Sequence, residues 1–174
     1  MNTDPNRSSS QRLNEIASMQ EAAFPLAEAA LLLAIEIGED TSIQPYLDKI
    51  NSLAEDFSFY RRATPDTTCA KAMISFFYKE TGFAGNKSNY YDPANSYLNK
   101  VIDNRVGIPI SLAILQMSIG AKLDIAVEGI TKIGDGVGFS VGFVGYDVGL
   151  SVGGESHIPH PLNHSLSDII HINV

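Results

Sequence analysis

The chain has 174 residues, 44% of them hydrophobic and 18% charged, a composition that fits one globular domain with a core of its own. A formal charge of −8 and a pI near 4.8 exclude the basic surface that nucleic acids and anionic membranes select, so neither partner is expected. A single cysteine, Cys69, excludes an internal disulfide and fits the cytoplasm or another reducing compartment, and no apolar run has the length of a membrane helix. From the start, Met1 to Ser10 is polar and serine-rich, lacks the apolar stretch of a secretory signal, and reads as a frayed tail. A short helix is expected from Gln11 to Met19, making residues 1–20 a flexible tail with one helical piece. Phe24 to Ile37 is almost entirely strong helix formers, with Glu28 and Glu36 on one narrow polar stripe and Gly38 as the stop. A second helix is predicted from Ile43 to Tyr60, opened by Thr41 or Ser42 as cap with Pro45 in its first turn. Its buried face is Tyr46, Leu47, Ile50, Leu53, Ala54 and Phe57. After a turn at Ala63–Thr64–Pro65, a third helix capped by Asp66 should bury Ala70, Met73, Ile74, Phe77 and Tyr78, leaving Lys71, Ser75 and Lys79 in water.

The stretch Gly82–Ala121 organises the rest. Asp92-Pro93 is a cap followed by an N1 proline, and predicts a fourth helix running to about Asp103. Ile108 to Ile119 is apolar on nearly every side, so it belongs at the centre of the domain. Pro109 sits one residue inside its start, and Gly107 and Gly120 mark sharp entry and exit. Asp124 to Ile133 reads as a strand interrupted by Gly129. Nine of the fourteen glycines then fall between Gly129 and Gly154, which allows bent or bulged pieces of hairpin and weakens any strand they form. Residues 151–174 hold all four histidines and are expected to be an irregular tail, with one helical turn near Leu166–Ile170. Residues 21–150 are thus expected to form one domain.

The run GFAGNKSNYYDPANSYLNKVIDNRVGIPISL resembles the SirB family of transglutaminase-like proteins through Gly82, Phe83, Gly85, Asn86, Tyr90–Pro93, Asn95–Asn99, Val101, Arg105 and Gly107–Leu112. The likeness extends more loosely from Phe24 to Ile130. It implies an α+β, papain-like fold: a mainly helical N-terminal two thirds packed around the buried central helix, then a small antiparallel sheet. In active relatives a nucleophilic Cys opens the central helix, a His lies on a following strand, and an acidic residue completes the triad. The helix N-terminus lowers the thiol pKa, the imidazole takes the proton, and the carboxylate orients the imidazole.

Residue by residue, the chemistry is missing. With Gly107-Ile108 and Ala113 matched to the superfamily's Gly-x-Cys and downstream Ala, the resemblance implies that Pro109 stands at the nucleophile position. Cys69 lies on an earlier helix in an Ala/Met/Ile/Phe context that suits a small buried hydrophobe. Ser111, two residues beyond Pro109, projects about 200° away around the helix, where a hydroxyl bonds backbone or a neighbouring side chain. The family's Pro-Gly-His-Phe stretch should follow Glu128-Gly129-Ile130, but the chain continues TKIGDGVGFSVGF without a histidine. The resemblance ends near Thr131, by divergence or by an altered reading of the gene, and the chain reads as shortened. His157, His160 and His164 have spacing open to a metal, but Pro159 and Pro161 prevent the helix that would align them, so no metal or cofactor is expected. Gly134–Gly138 lacks the Lys-Ser/Thr and the frame of a phosphate loop and reads as a turn.

The expected function is a non-catalytic domain that binds a protein or peptide partner through Asn86, Tyr90, Tyr91, Asn95, Arg105 and Pro109. Two alternatives stand beside it: a hydrolase or acyltransferase using Ser111 or Cys69, and a truncated product with an incomplete sheet. Arg105 is expected to pair with Asp92 or Asp103, or to bond carbonyls near Gly107.

Overall fold

The computed structural model describes residues 8–20, 24–38, 42–132 and 138–143. The histidine-bearing segment, residues 134–137 of the glycine-rich turn and the helical turn expected near Leu166–Ile170 lie outside them.

Helix α1 spans Ser9–Ala17. Ser8 caps it: its Oγ accepts from the Gln11 N–H and its N–H donates to Gln11 Oε1, both at 3.2 Å. Ser8, Ser9 and Ser10 therefore open a helix instead of continuing the expected frayed tail. Ile16 is buried against Ala29 and Leu32 of α2, Leu26–Glu36. The acidic stripe of α2 lies under α1. Arg12 grips Glu28 through two parallel bonds of 2.5 and 2.9 Å, and the Ser9 and Ser10 hydroxyls both donate to the Glu36 carboxylate. Gly38, at φ +106°, supplies the left-handed residue that ends this helix. Helix α2 sends Ala27 and Leu31 into the main core, while Leu33 and Ile37 stay exposed.

Helix α3, Gln44–Ala63, has Ile43 at its N-cap position, where the sequence predicts Thr41 or Ser42, and Ile43 is packed against the core; Thr41 lies outside the described residues. It runs past Tyr60 because Arg61 and Arg62 suit the negative end of the helix dipole, and Thr64 closes it by donating to the Tyr60 carbonyl. Helix α4, Cys69–Ser75, is capped by Thr68 rather than Asp66. The reason is a turn at 64–67, closed by Thr67 N–H on Thr64 O at 3.2 Å, which occupies Asp66. After Ser75 the helix widens into a π turn, Phe76–Glu80. That turn seats Phe76 against Phe57 and Tyr60 and stacks Phe77 on Phe83 at 4.6 Å.

Helix α6, Pro109–Ala121, is the expected central helix; Leu112, Ala113, Leu115 and Ile119 are buried among α2, α3, the π turn and the strand that follows. Gly120 lies inside its last turn. A Cβ there would stand 2.5 Å from Val127 Cγ2 and 2.9 Å from the Ile125 carbonyl, so glycine is required by close approach. The turn after α6 uses Asp124 at φ 55°, which delays strand β3 to Val127–Lys132. Strand β4, Gly138–Phe143, pairs antiparallel with β3 from Val127↔Phe143 to Lys132↔Gly138. Helices around a buried helix, followed by this hairpin, make the fold α+β.

Candidate functional site

The N-terminus of α6 is reached through a loop tied down at both ends. Ala84–Gly85 (β1) pairs in parallel with Val106–Gly107 (β2), with Ala84 N–H on Arg105 O at 2.9 Å and Asn86 N–H on Gly107 O at 3.0 Å. Between them Asp92 accepts from the Ala94 N–H and starts a helix, as its cap signature predicts. That helix stops after one 3₁₀ turn, Pro93–Asn95, and α5 begins afresh at Leu98–Asn104. The expected continuous helix to Asp103 is broken because the Asn95 carbonyl is drawn away. It accepts from Ser111 Oγ at 2.6 Å and from Ile108 N–H at 3.4 Å.

Asn95 is the knot of the loop. It is 3% exposed; its Nδ2 donates to the carbonyls of Asn89 and Tyr90 at 2.8 and 3.0 Å, and its Oδ1 accepts from Asn86 Nδ2 at 2.9 Å. Asn86 Oδ1 in turn accepts from the Asn89 N–H at 2.9 Å, three residues on, and so holds the start of the loop in a turn. With the carbonyl of Tyr90 held inward, the rings are left outside. Tyr91 is 92% exposed and Tyr90 50%, and the two rings meet edge to face at 5.4 Å.

Arg105 bonds none of the partners foreseen. It ends α5 in the left-handed region at φ 56°, and its guanidinium donates to the Thr81 carbonyl while lying over the Phe83 ring. It thus caps the end of the π turn, where the backbone runs out of helical donors for its carbonyls. Thr81 belongs to the same joint, through its hydroxyl on Phe77 O at 2.6 Å. No sequence signal marked Thr81.

A family model described as the transglutaminase-like superfamily matches residues 44–132, just over half of the chain. The chain belongs to the transglutaminase-like superfamily. A UPF0162 protein of Xylella fastidiosa is 32% identical over 125 residues, covering 68% of this chain and 42% of its own length. One from Vibrio cholerae is 30% identical over 110 residues, covering 63% and 41%. Human F-box only protein 21 is 37% identical over 57 residues, which cover 33% of this chain and 9% of the relative. The chain thus spans about two fifths of the length of the bacterial relatives. No solved structure matches it significantly.

In this transglutaminase-like domain Pro109 is the first residue of α6 and half-buried. Ser111 is 1% exposed. Its proton goes to Asn95 O, and its oxygen accepts from the Ile108 N–H at 3.1 Å, so the hydroxyl is consumed in joining the loop to the helix. Gly107 makes room for it: a Cβ there would stand 2.6 Å from Ser111 Oγ. Cys69 opens α4, half-buried against the core, and no hydrogen bond among the described residues joins it to this knot. Ile110, 49% exposed at the second position of α6, is an apolar surface residue that periodicity could not single out, because the helix is apolar on every side. Among the described residues no cluster of His, Cys, Asp or Glu has the makings of a metal site, and no helix is long and apolar enough to cross a membrane.

Proposed function

We propose that this transglutaminase-like domain is of the SirB kind and is non-catalytic: a regulatory module that binds a protein or peptide. The observation behind this reading is the state of the α6 entrance. Pro109 offers no nucleophile, and the nearest hydroxyl, on Ser111, already serves Asn95 and Ile108. Beside it the same hydrogen-bonded loop turns out Tyr90 and Tyr91, and α6 turns out Ile110. Rigid aromatic rings over a fixed backbone are effective anchors for a partner segment. On this reading Asn86 and Asn95 shape the loop, Arg105 holds its base, and Tyr90, Tyr91, Ile110 and Pro109 meet the partner. On this reading the protein works in the cytoplasm or another reducing compartment, which a lone thiol fits.

The test has two arms on the full chain. A displayed library of random peptides is selected on the immobilised protein, and amide and ester substrates are assayed for turnover. Selected peptides should lose at least about tenfold in affinity when Tyr91→Ala or Ile110→Ser is introduced, the loss expected of an anchor residue. Turnover abolished by Ser111→Ala or Cys69→Ala would replace this reading with the hydrolase.

A further inference from the structure

Helix α6 is apolar almost throughout, yet Gln116 sits in its middle with no exposed surface. Its Nε2 donates to the Tyr78 hydroxyl oxygen at 3.0 Å. No donor among the described residues reaches its Oε1. An amide carbonyl buried without a donor is costly, and native interiors rarely leave one so. We propose that Gln116 and Tyr78 form a binding site for one internal water, which accepts from the Tyr78 hydroxyl and donates to Gln116 Oε1.

The donors and acceptors then close a ring. Gln116 Nε2–H points to Tyr78 Oη, the Tyr78 proton to the water, and a water proton back to the other end of the same amide. Each group donates once and accepts once around the ring, which strengthens all three bonds. The remaining water proton is free for a third contact, within the usual range for a buried water. Burial pushes the Tyr78 pKa above its ordinary value, only partly countered by the Gln116 bond, so the phenol keeps the proton it must donate. The π turn brings Tyr78 to this position, because it carries the Phe76–Glu80 segment and closes Thr81 N–H on Phe76 O at 2.9 Å. The water therefore belongs to the joint between the π turn and the central helix, the joint that also sets Thr81 under Arg105.

The experiment is a crystal structure of the full chain at a resolution that shows ordered solvent. The expected result is a solvent oxygen within hydrogen-bond distance of both Gln116 Oε1 and Tyr78 Oη. In a Tyr78→Phe crystal, where the hydroxyl that donates to it is gone, the solvent oxygen should be lost from that position. A protein donor on Oε1, from residues outside the described ones or from Tyr78 Oη with the amide turned over, or an Oε1 packed only against carbon, would overturn the proposal. The parent crystal decides by itself if the variant fails to fold.

Discussion

Ser111 Oγ stands 2.6 Å from the carbonyl oxygen of Asn95, sixteen residues earlier in the chain, and this contact decides where one helix ends and another begins. It takes from the Asp92–Pro93 helix the carbonyl that its next turn would need, and gives the first turn of α6 a fixed neighbour. Ser111→Ala should lower stability by about 1–3 kcal/mol, the range for a buried bond whose partner is left behind. Urea unfolding measures it, and amide exchange should quicken from Asn89 to Asn95 ahead of the core.

Gly107 and Ser111 are coupled through the space between them. A Cβ on Gly107 would meet Ser111 Oγ at 2.6 Å and the Val101 methyls at 3.0 and 3.1 Å, so Gly107→Ala should cost about 1–3 kcal/mol by overpacking. In the Ser111→Ala background the nearest of these clashes disappears. The double variant should be more stable than the sum of the two losses by at least about 0.5 kcal/mol. Additive losses in a double-mutant cycle would refute the coupling.

The docking of α1 should depend on pH. Hydrogen bonds from the Ser9 and then the Ser10 hydroxyl hold the Glu36 carboxyl below its usual pKa, against a small opposing effect of desolvation. A carboxyl whose folded pKa lies below its unfolded value stabilises above the ordinary carboxylate range, and that contribution fades as the pH falls through the folded value. Amide protection in Ser9–Ala17 should therefore drop at acid pH before protection in α6 does. Glu36→Gln should remove that part of the pH dependence.

Exposure separates the two aromatic groups of the loop region. Tyr91→Ala should change stability by less than about 0.5 kcal/mol, whereas Phe77→Ala, which empties a fully buried site stacked on Phe83, should cost about 3–5 kcal/mol. Thermal unfolding of both variants checks the contrast; a large loss from Tyr91→Ala would show that its ring supports the loop.

Long elements with one steady period were legible in the sequence. The α3 face of Ile50, Ala54 and Phe57 and the all-apolar α6 entered by Pro109 both lie where their patterns put them. What could not be read was set by contacts between distant residues. Asp92-Pro93 is a sound helix start, and only Ser111 explains why that helix ends after one turn. Arg105 had acidic residues near it in sequence, yet the carbonyl it satisfies belongs to Thr81, 24 residues back. A π turn has no residue pattern that distinguishes Phe76–Glu80 from ordinary helix, and Gly120 looked like a stop signal because nothing in the sequence shows Val127 folding back onto it.

The two-residue pairing of β1 with β2 brings the chain at Arg105 back to the place it left at Asn86. Everything between is a closed excursion whose ends are fastened to each other and to the entry of α6. Exchange of residues at its outermost point, such as Tyr91, leaves that fastening untouched. The outermost residue of this excursion can therefore vary in descendants of this sequence while the interior that supports it is inherited unchanged.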